Sequence, residues 1–377
     1  MLFGCRSQGG SRSLCGDMVD SLTIRNFRSF EHVDLNGLRR VNVIVGDNGS
    51  GKTALLEAIF LAAGVSPELV LRTRAWRGNP SGQGQFSGTH EQLHEELWGD
   101  LFHKFQIEKA AVISLKGPRQ HTRQVAVRLN KRGHGRVVPP PRNRPKESPR
   151  VLRSATATPI EFRWRVEGSA DITCEPTFVD GKLIFPPTPE SPVMASFFAS
   201  NRTPPEFEMV NRFSQLSKNF QETEFADRFS RLYPHIGSIS IEMAFGMSSL
   251  FARAENLPQK IPLTIASGGM NKLAAILLAF SEMSGGLILV DEIENGFYYE
   301  RLPEIWAAIL DFARLYNCQV FASTHSAECL NSAAELASKS PEDFCMLRTV
   351  LQNEGTKIRH FDGERFASAV RSNVEVR

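Results

Sequence analysis

A chain of 377 residues, 41% hydrophobic and 23% charged, with a formal net charge of +3, reads as a globular protein of two or three structural units whose overall charge points to no particular partner. Its six cysteines, Cys5, Cys15, Cys174, Cys318, Cys329 and Cys345, form no C-x-x-C pair and no Cys/His cluster of zinc-finger spacing, so a disulfide-framed secreted domain is excluded and a reducing cytosol fits best. The most apolar segment, Leu273–Val290, is broken by Ser281, Glu282, Ser284 and two glycines, short of the roughly 20 apolar residues of a membrane span.

Residues 1–17 lack the apolar stretch of a signal peptide and read as a disordered tail, with Met18 competing with Met1 as the start. Alternation predicts a strand over Ser21–Phe27 and another over His32–Leu35. After Asn36-Gly37, the β-branched run Val41–Val45 has the continuous apolar character of a buried strand. A glycine-rich turn leads into a helix over Thr53–Ala63 that stops at Gly64. Residues 78–90 read as a loop and Glu91–Phe105 as a helix.

Short strands are expected at Ala111–Leu115, Arg123–Leu129, Ile160–Val166 and Lys182–Phe185, with Asp180-Gly181 as a hairpin turn. Residues 131–158, rich in proline and arginine, read as an exposed insertion. Val193–Phe198 reads as a buried strand. Glu206–Tyr233 reads as one helix with Phe213, Leu216, Phe220 and Phe225 on a single face. Strands at Ile236–Met243 and Ser249–Ala254 precede the most regular third: helix Asn271–Phe280, strand Gly286–Val290, helix Arg301–Tyr316, strand Gln319–Ser323 and a short helix from Ala327. Strands alternating with helices predict an α/β fold with a mostly parallel, covered core sheet.

Four motifs carry chemistry. Gly46-Asp47-Asn48-Gly49-Ser50-Gly51-Lys52-Thr53 matches the phosphate-binding loop G-x-x-x-x-G-K-[ST] between a strand and a helix. Its glycines let backbone amides curl around a polyphosphate, Lys52 supplies charge to the phosphates, and Thr53 offers a hydroxyl to Mg²⁺. The strand Gly286–Val290 ends in Asp291 and Glu292, suited respectively to holding Mg²⁺ and polarising an attacking water. Ser267-Gly268-Gly269 precedes a helix and can serve either as an anion site or as an N-cap. His325 follows the next strand, where it suits a γ-phosphate contact or a structural role.

In this order the four elements resemble the ATP-binding cassette class of P-loop ATPases. More narrowly they resemble its SMC/RecF/OLD-like branch, especially small bacterial AAA-family proteins described as ATP/GTP phosphatases. SLTIRNFRSF, GDNGSGKT, TIASGGMNKL, LVDEIENG and FASTHSAECL carry the resemblance, over roughly residues 18–70 and 260–335. It implies an ATPase using ATP and Mg²⁺, with Lys52 and His325 at the phosphates, Thr53 and Asp291 on the metal and Glu292 on the water. It further implies a homodimer formed on ATP binding, in which Ser267, Gly268 and Gly269 of one subunit close over the nucleotide of the other and Asn295-Gly296 lies near the interface. Arg28 falls where such families place a residue near the base or phosphates; a solvated strand residue is the competing reading. The ASGGM in place of LSGGQ argues against a transporter cassette. The Q-loop has no clear match, Gln106 and the turn Ser200-Asn201-Arg202 being candidates. The 52 residues after His325 are too few for the nuclease domain of OLD proteins, and the lack of long heptads argues against an SMC clamp.

Residues 116–165 hold 14 Lys/Arg against two acids. Such a segment fits sequence-independent nucleic-acid contact, and equally a solvated loop. Trp164 between Arg163 and Arg165 suits base stacking or the core. The expected layout is a tail over 1–17, the first half of the ATPase core over 18–105, a β-rich subdomain over 106–199, a helical lobe with linking strands over 200–260 and the second half of the core over 261–377. The functional expectation is an ATP-driven switch acting on DNA or a partner protein, in genome maintenance or anti-phage defence. The alternative is a nucleotide-gated binding module of a toxin or defence system, with an effector protein as partner and incidental hydrolysis. No membrane partner is expected.

Overall fold

Val41–Val45 is buried at all five positions because it lies inside a six-stranded sheet. A computed structural model describes residues 18–76, 97–117, 122–130, 156–157, 160–179, 182–187, 195–200, 202, 204–244 and 246–372. The expected tail, the loop 78–90, residues 91–96, the turn Asp180-Gly181 and all of 131–158 but 156–157 lie outside them.

The core sheet runs in the order Ala195–Phe198, Leu287–Val290, Gln319–Ser323, Val41–Val45, Phe344–Gln352, Gly355–Asp362. The first five strands are parallel and the last pairs antiparallel as a hairpin. Loops bearing Gly46, Asp291 and Thr324 therefore leave the same, carboxyl-terminal end of adjacent strands, where open α/β sheets bind ligands.

A second six-stranded sheet is wholly antiparallel: Phe30–Asn36, Ser21–Phe27, Ala111–Lys116, Thr122–Leu129, Ile160–Val166, Ile172–Cys174. The first two strands, grouped by sequence with the phosphate-loop half, belong here. Their alternating burial already shows one face on a core and one on solvent.

The helix Lys52–Ala63 is buried at every residue but Thr53 and packs against strands of both sheets. A helix apolar all round needs such a site. Its one interior charge, Glu57, meets the Arg28 guanidinium as an ion pair at 2.8 Å, off the line of a hydrogen bond. Its last carbonyls are satisfied from the antiparallel sheet: Arg123 Nε donates to Ala62 O at 2.6 Å, Arg123 Nη2 to Gly64 O at 2.9 Å, and Trp164 Nε1 to Leu61 O at 3.2 Å. A cation at the carboxyl end of the helix also complements its dipole. Burial lowers the Arg123 pKa to about 10, which leaves it charged at neutral pH.

Several expected elements differ. The expected helix Glu206–Tyr233 is two, Glu206–Lys218 and Glu222–Leu232, parted at Phe220 with φ +58°. The break is a Schellman turn, with Gln221 N on Leu216 O and Phe220 N on Ser217 O. Phe220 is consequently 89% exposed while Phe213, Leu216 and Phe225 are buried. The helix expected through Phe105 gives way to short turns at Gly99–Leu101 and His103–Phe105, with Lys104 and Phe105 at positive φ. The helix from Ala327 is 13 residues long. The helices Glu68–Trp76 and Gly363–Arg371 and the hairpin 344–362 were not anticipated.

Candidate nucleotide-binding site

The loop 46–53 needs its glycines. Gly46 has φ +145°, and a Cβ there would sit 2.4 Å from the Thr349 carbonyl oxygen; Gly51 has φ +101°, and its Cβ would sit 2.6 Å from Ser29 Oγ. The carboxyl-terminal hairpin buttresses the loop: Ser50 Oγ and Thr349 Oγ1 share a hydrogen bond of 2.6 Å, and Thr356 Oγ1 donates to Ser50 O at 3.0 Å. Asp47, Asn48 and Gly49 are exposed at the crest, whereas Ser50 and Lys52 are buried. Lys52 Nζ curls over the loop and donates to Gly46 O at 2.7 Å and Asp47 O at 3.0 Å. Desolvation lowers its pKa, against the pull of Asp291, Glu292, Glu294 and Asp47.

Thr53 Oγ1 donates to Asp291 Oδ2 at 2.9 Å, and Ser323 Oγ donates to Asp291 Oδ1 at 2.5 Å. Both carboxylate oxygens are thereby held by hydroxyls, one from the first turn of the helix Lys52–Ala63 and one from the end of the strand Gln319–Ser323. Glu292 occupies the left-handed region at φ +47°, its N–H bonded to Ser323 Oγ at 2.8 Å and its Oε2 to Asn295 Nδ2 at 2.6 Å. A non-glycine residue in that region costs of order 1 kcal/mol or more and marks a backbone held by its surroundings.

His325 Nδ1 lies 4.0 Å from Glu292 Oε1 and 3.0 Å from Glu294 Oε1. Glu294 also accepts the N–H groups of His325 at 2.9 Å and Ser326 at 3.2 Å, tying the histidine loop to the acid loop. Glu294 escaped the sequence reading; its signal was a third acid two residues beyond a strand-end pair.

Ser267 caps the helix Gly268–Glu282, its Oγ accepting from Met270 N at 3.5 Å. Gly268 is exposed, with open space where a Cβ would stand, whereas a Cβ on Gly269 would lie 2.4 Å from Gly296 O. Among the described residues no hydrogen bond or ion pair joins 267–269 to 46–53. From the same helix, Lys272 Nζ reaches the carbonyls of Glu292 at 3.1 Å, Ile293 at 3.3 Å and Asn295 at 2.9 Å. Lys272 was also missed; the only trace in sequence is a lone charge within an otherwise uncharged 268–280 segment.

The remaining candidates are placed as follows. Arg28, at φ +49°, directs its guanidinium to Glu57 and to Asp100 at 3.3 Å. Gln106 lies in a turn whose carbonyl accepts from Asn26. The turn from Ser200 follows the strand beside Asp291, whose N–H bonds Phe198 O at 2.8 Å; Asn201 lies outside the described residues. Trp164 is fully buried and stacks on Phe162 at 5.8 Å, which favours the core reading over base stacking. Of the basic segment, Arg123 is buried, Arg128 and Arg163 pair with Glu161, and Arg165 pairs with Asp171.

A phosphate loop on a parallel strand and a strand-end acid pair held against it define a P-loop nucleotide-binding site. A family model described as "AAA domain, putative AbiEii toxin, Type IV TA system" matches residues 41–331, and the chain belongs to that family. It is 22% identical over 335 residues to an ATP/GTP phosphatase of Helicobacter pylori, covering 82% of this chain and 86% of the relative. It is 51% identical over 43 residues to the DNA replication and repair protein RecF of Idiomarina loihiensis, covering 11% of this chain and 12% of that protein. A solved SmcHead bound to the C-winged helix domain of ScpA aligns over 92% of this chain and 98% of its own, with a TM-score of 0.48 and 13% identity. The protein is an ATPase. Among the described residues no helix is long and apolar enough to cross a membrane, and the described cysteines, Cys174, Cys318, Cys329 and Cys345, are free and buried.

Proposed function

We propose that this ATPase is a nucleotide-driven switch in which two copies close over ATP and separate after hydrolysis. The observation that carries the proposal is the amino end of the helix Gly268–Glu282. It is unbonded to the phosphate loop of its own chain, it is open at Gly268, and it is flanked by Ile265 at 74% exposure. Tyr298 and Tyr299, just past Asn295-Gly296, add exposed aromatic surface. Unsatisfied amides at a helix start suit phosphate oxygens, and a second copy holds them.

In this reading Lys52 leaves the loop carbonyls to meet the phosphates, with amides of 46–53 around it. Thr53 and Asp291 offer a hydroxyl and a carboxylate 2.9 Å apart, hard oxygen donors that fit Mg²⁺. That ion would neutralise phosphate charge when bound. Glu292 accepts the proton of the attacking water, and His325, beside it, contacts the γ-phosphate. Ser267, Gly268 and Gly269 act on the nucleotide of the partner copy.

Complementation tests the composite site. Lys52→Ala and Ser267→Arg variants, each inactive alone, regain hydrolysis on mixing, because one intact site forms per mixed dimer. Absence of recovery at concentrations where mixed dimers form overturns the proposal.

The downstream target is a second question. Nucleic-acid contact rests on residues 116–165, where the described arginines are already paired or buried. The family description, with its toxin and Type IV system, favours the alternative of a nucleotide-gated module acting on an effector protein. Hydrolysis that rises with duplex DNA supports the first; DNA-indifferent hydrolysis with a co-purifying protein supports the second.

A further inference from the structure

We infer that Lys272 is a positioning residue for Glu292, and that it makes the helix Gly268–Glu282 and the acid loop move as one body. The inference rests on the proposed role of Glu292 as the base for the attacking water.

An ammonium has three donors and no acceptor. Those of Lys272 meet three carbonyls, of Glu292, Ile293 and Asn295. Three carbonyls within four residues converge on one point only if the chain curls around it, and the left-handed φ of Glu292 is part of that curl. Carbonyl dipoles aimed at one point repel one another, so the cation is what makes the arrangement favourable. The curl also brings Asn295 back to Glu292, where Nδ2 holds Oε2 at 2.6 Å. The path from Lys272 to the carboxylate is thus two bonded steps.

Two further contacts fix the helix to the same loop. Lys272 Nζ lies 5.4 Å from the centre of the Phe297 ring, a cation–π contact, and Gly269 meets Gly296 O too closely for any side chain. A shift of Ser267–Gly269 therefore drags residues 292–297 with it. Whatever touches the exposed helix start is reported to the carboxylate of the same chain.

A purely packing role predicts lost stability; a positioning role predicts lost turnover through Glu292. Lys272→Met keeps the stem and removes the donors, whereas Lys272→Arg keeps the charge. The expected result for Lys272→Met is a fall in kcat of about 10²-fold, the scale of a 1 Å misplacement, with KM and ATP affinity little changed. Lys272→Arg should recover most of it. In a Glu292→Gln background, Lys272→Met should add almost nothing, since both changes remove the same function. Undiminished kcat in Lys272→Met overturns the inference, as does a further full loss on top of Glu292→Gln. If Lys272→Met proves too unstable to assay, Lys272→Gln, which keeps two donors without charge, decides on the same criteria. Undiminished hydrolysis by Glu292→Gln alone would instead remove the role of Glu292 on which the inference stands.

Discussion

Thr53 donates to Asp291 across 238 positions of sequence, at 2.9 Å. Thr53 lies in the first turn of the helix that follows Val41–Val45, and Asp291 follows Leu287–Val290; between those two strands runs Gln319–Ser323, whose Ser323 holds the other Asp291 oxygen. Segments that follow two strands, and the end of the strand between them, thus converge on one carboxylate. Asp291→Asn keeps the shape but halves the donor set for a cation. Phosphate release should fall by at least about 10²-fold, with a higher Mg²⁺ requirement in a metal titration.

Gly269→Ala tests the close approach of helix and loop. Its Cβ would stand 2.4 Å from Gly296 O, so the backbones must part. Hydrolysis should fall by about tenfold or more while ATP affinity, measured by titration, stays near that of the parent. Gly268→Ala, with open space around it, should leave the fold unchanged in thermal melting.

Arg123→Ala strips two of the caps from the carboxyl end of the Lys52–Ala63 helix and leaves the buried Ala62 carbonyl and the part-buried Gly64 carbonyl facing a void. Each such group costs about 1–3 kcal/mol, so stability should drop by about 3 kcal/mol or more in denaturant unfolding. Arg165→Ala breaks an exposed, solvent-screened pair with Asp171 and should leave the denaturant midpoint close to that of the parent.

Burial lowers the Lys272 pKa to about 8, opposed by Glu294, Glu292, Cys329 and Asp291 around it. Between that value and the ordinary lysine range the folded protein binds fewer protons than the unfolded chain. The burial penalty is therefore complete below pH 8 and is relieved as pH rises, so this group's contribution to stability increases with pH. Activity moves the other way. A neutral amine has two donors for three carbonyls, so kcat should decline above about pH 8, and Lys272→Arg should carry that limb to higher pH.

Strongly periodic or strongly constrained residues were legible. Val41–Val45, Ser21–Phe27 and Ile160–Val166 appear with the bounds read from alternation or β-branching. The phosphate loop was legible because close backbone approaches admit only glycine at Gly46 and Gly51. What failed was decided by tertiary contact. Phe220 fits a helical face, yet the left-handed turn at 219–221 puts its ring in solvent. Arg123 lies in a basic stretch and Trp164 reads as either a stacking or a core residue; only the packed sheet shows that they cap a helix 59 to 103 residues earlier. Lys272 and Glu294 act largely through backbone groups of other segments, so the lone charge and the third acid in the sequence do not say what they bind.

The proposed switch depends on two copies closing over ATP. Light scattering on Glu292→Gln, which should bind but not turn over nucleotide, reads that closure as a change in mass. The expected result is a monomer mass without nucleotide and twice that mass with ATP and Mg²⁺, reverting to monomer when Ser267→Arg is added to the same chain. One unchanged mass with and without ATP would rule out closure.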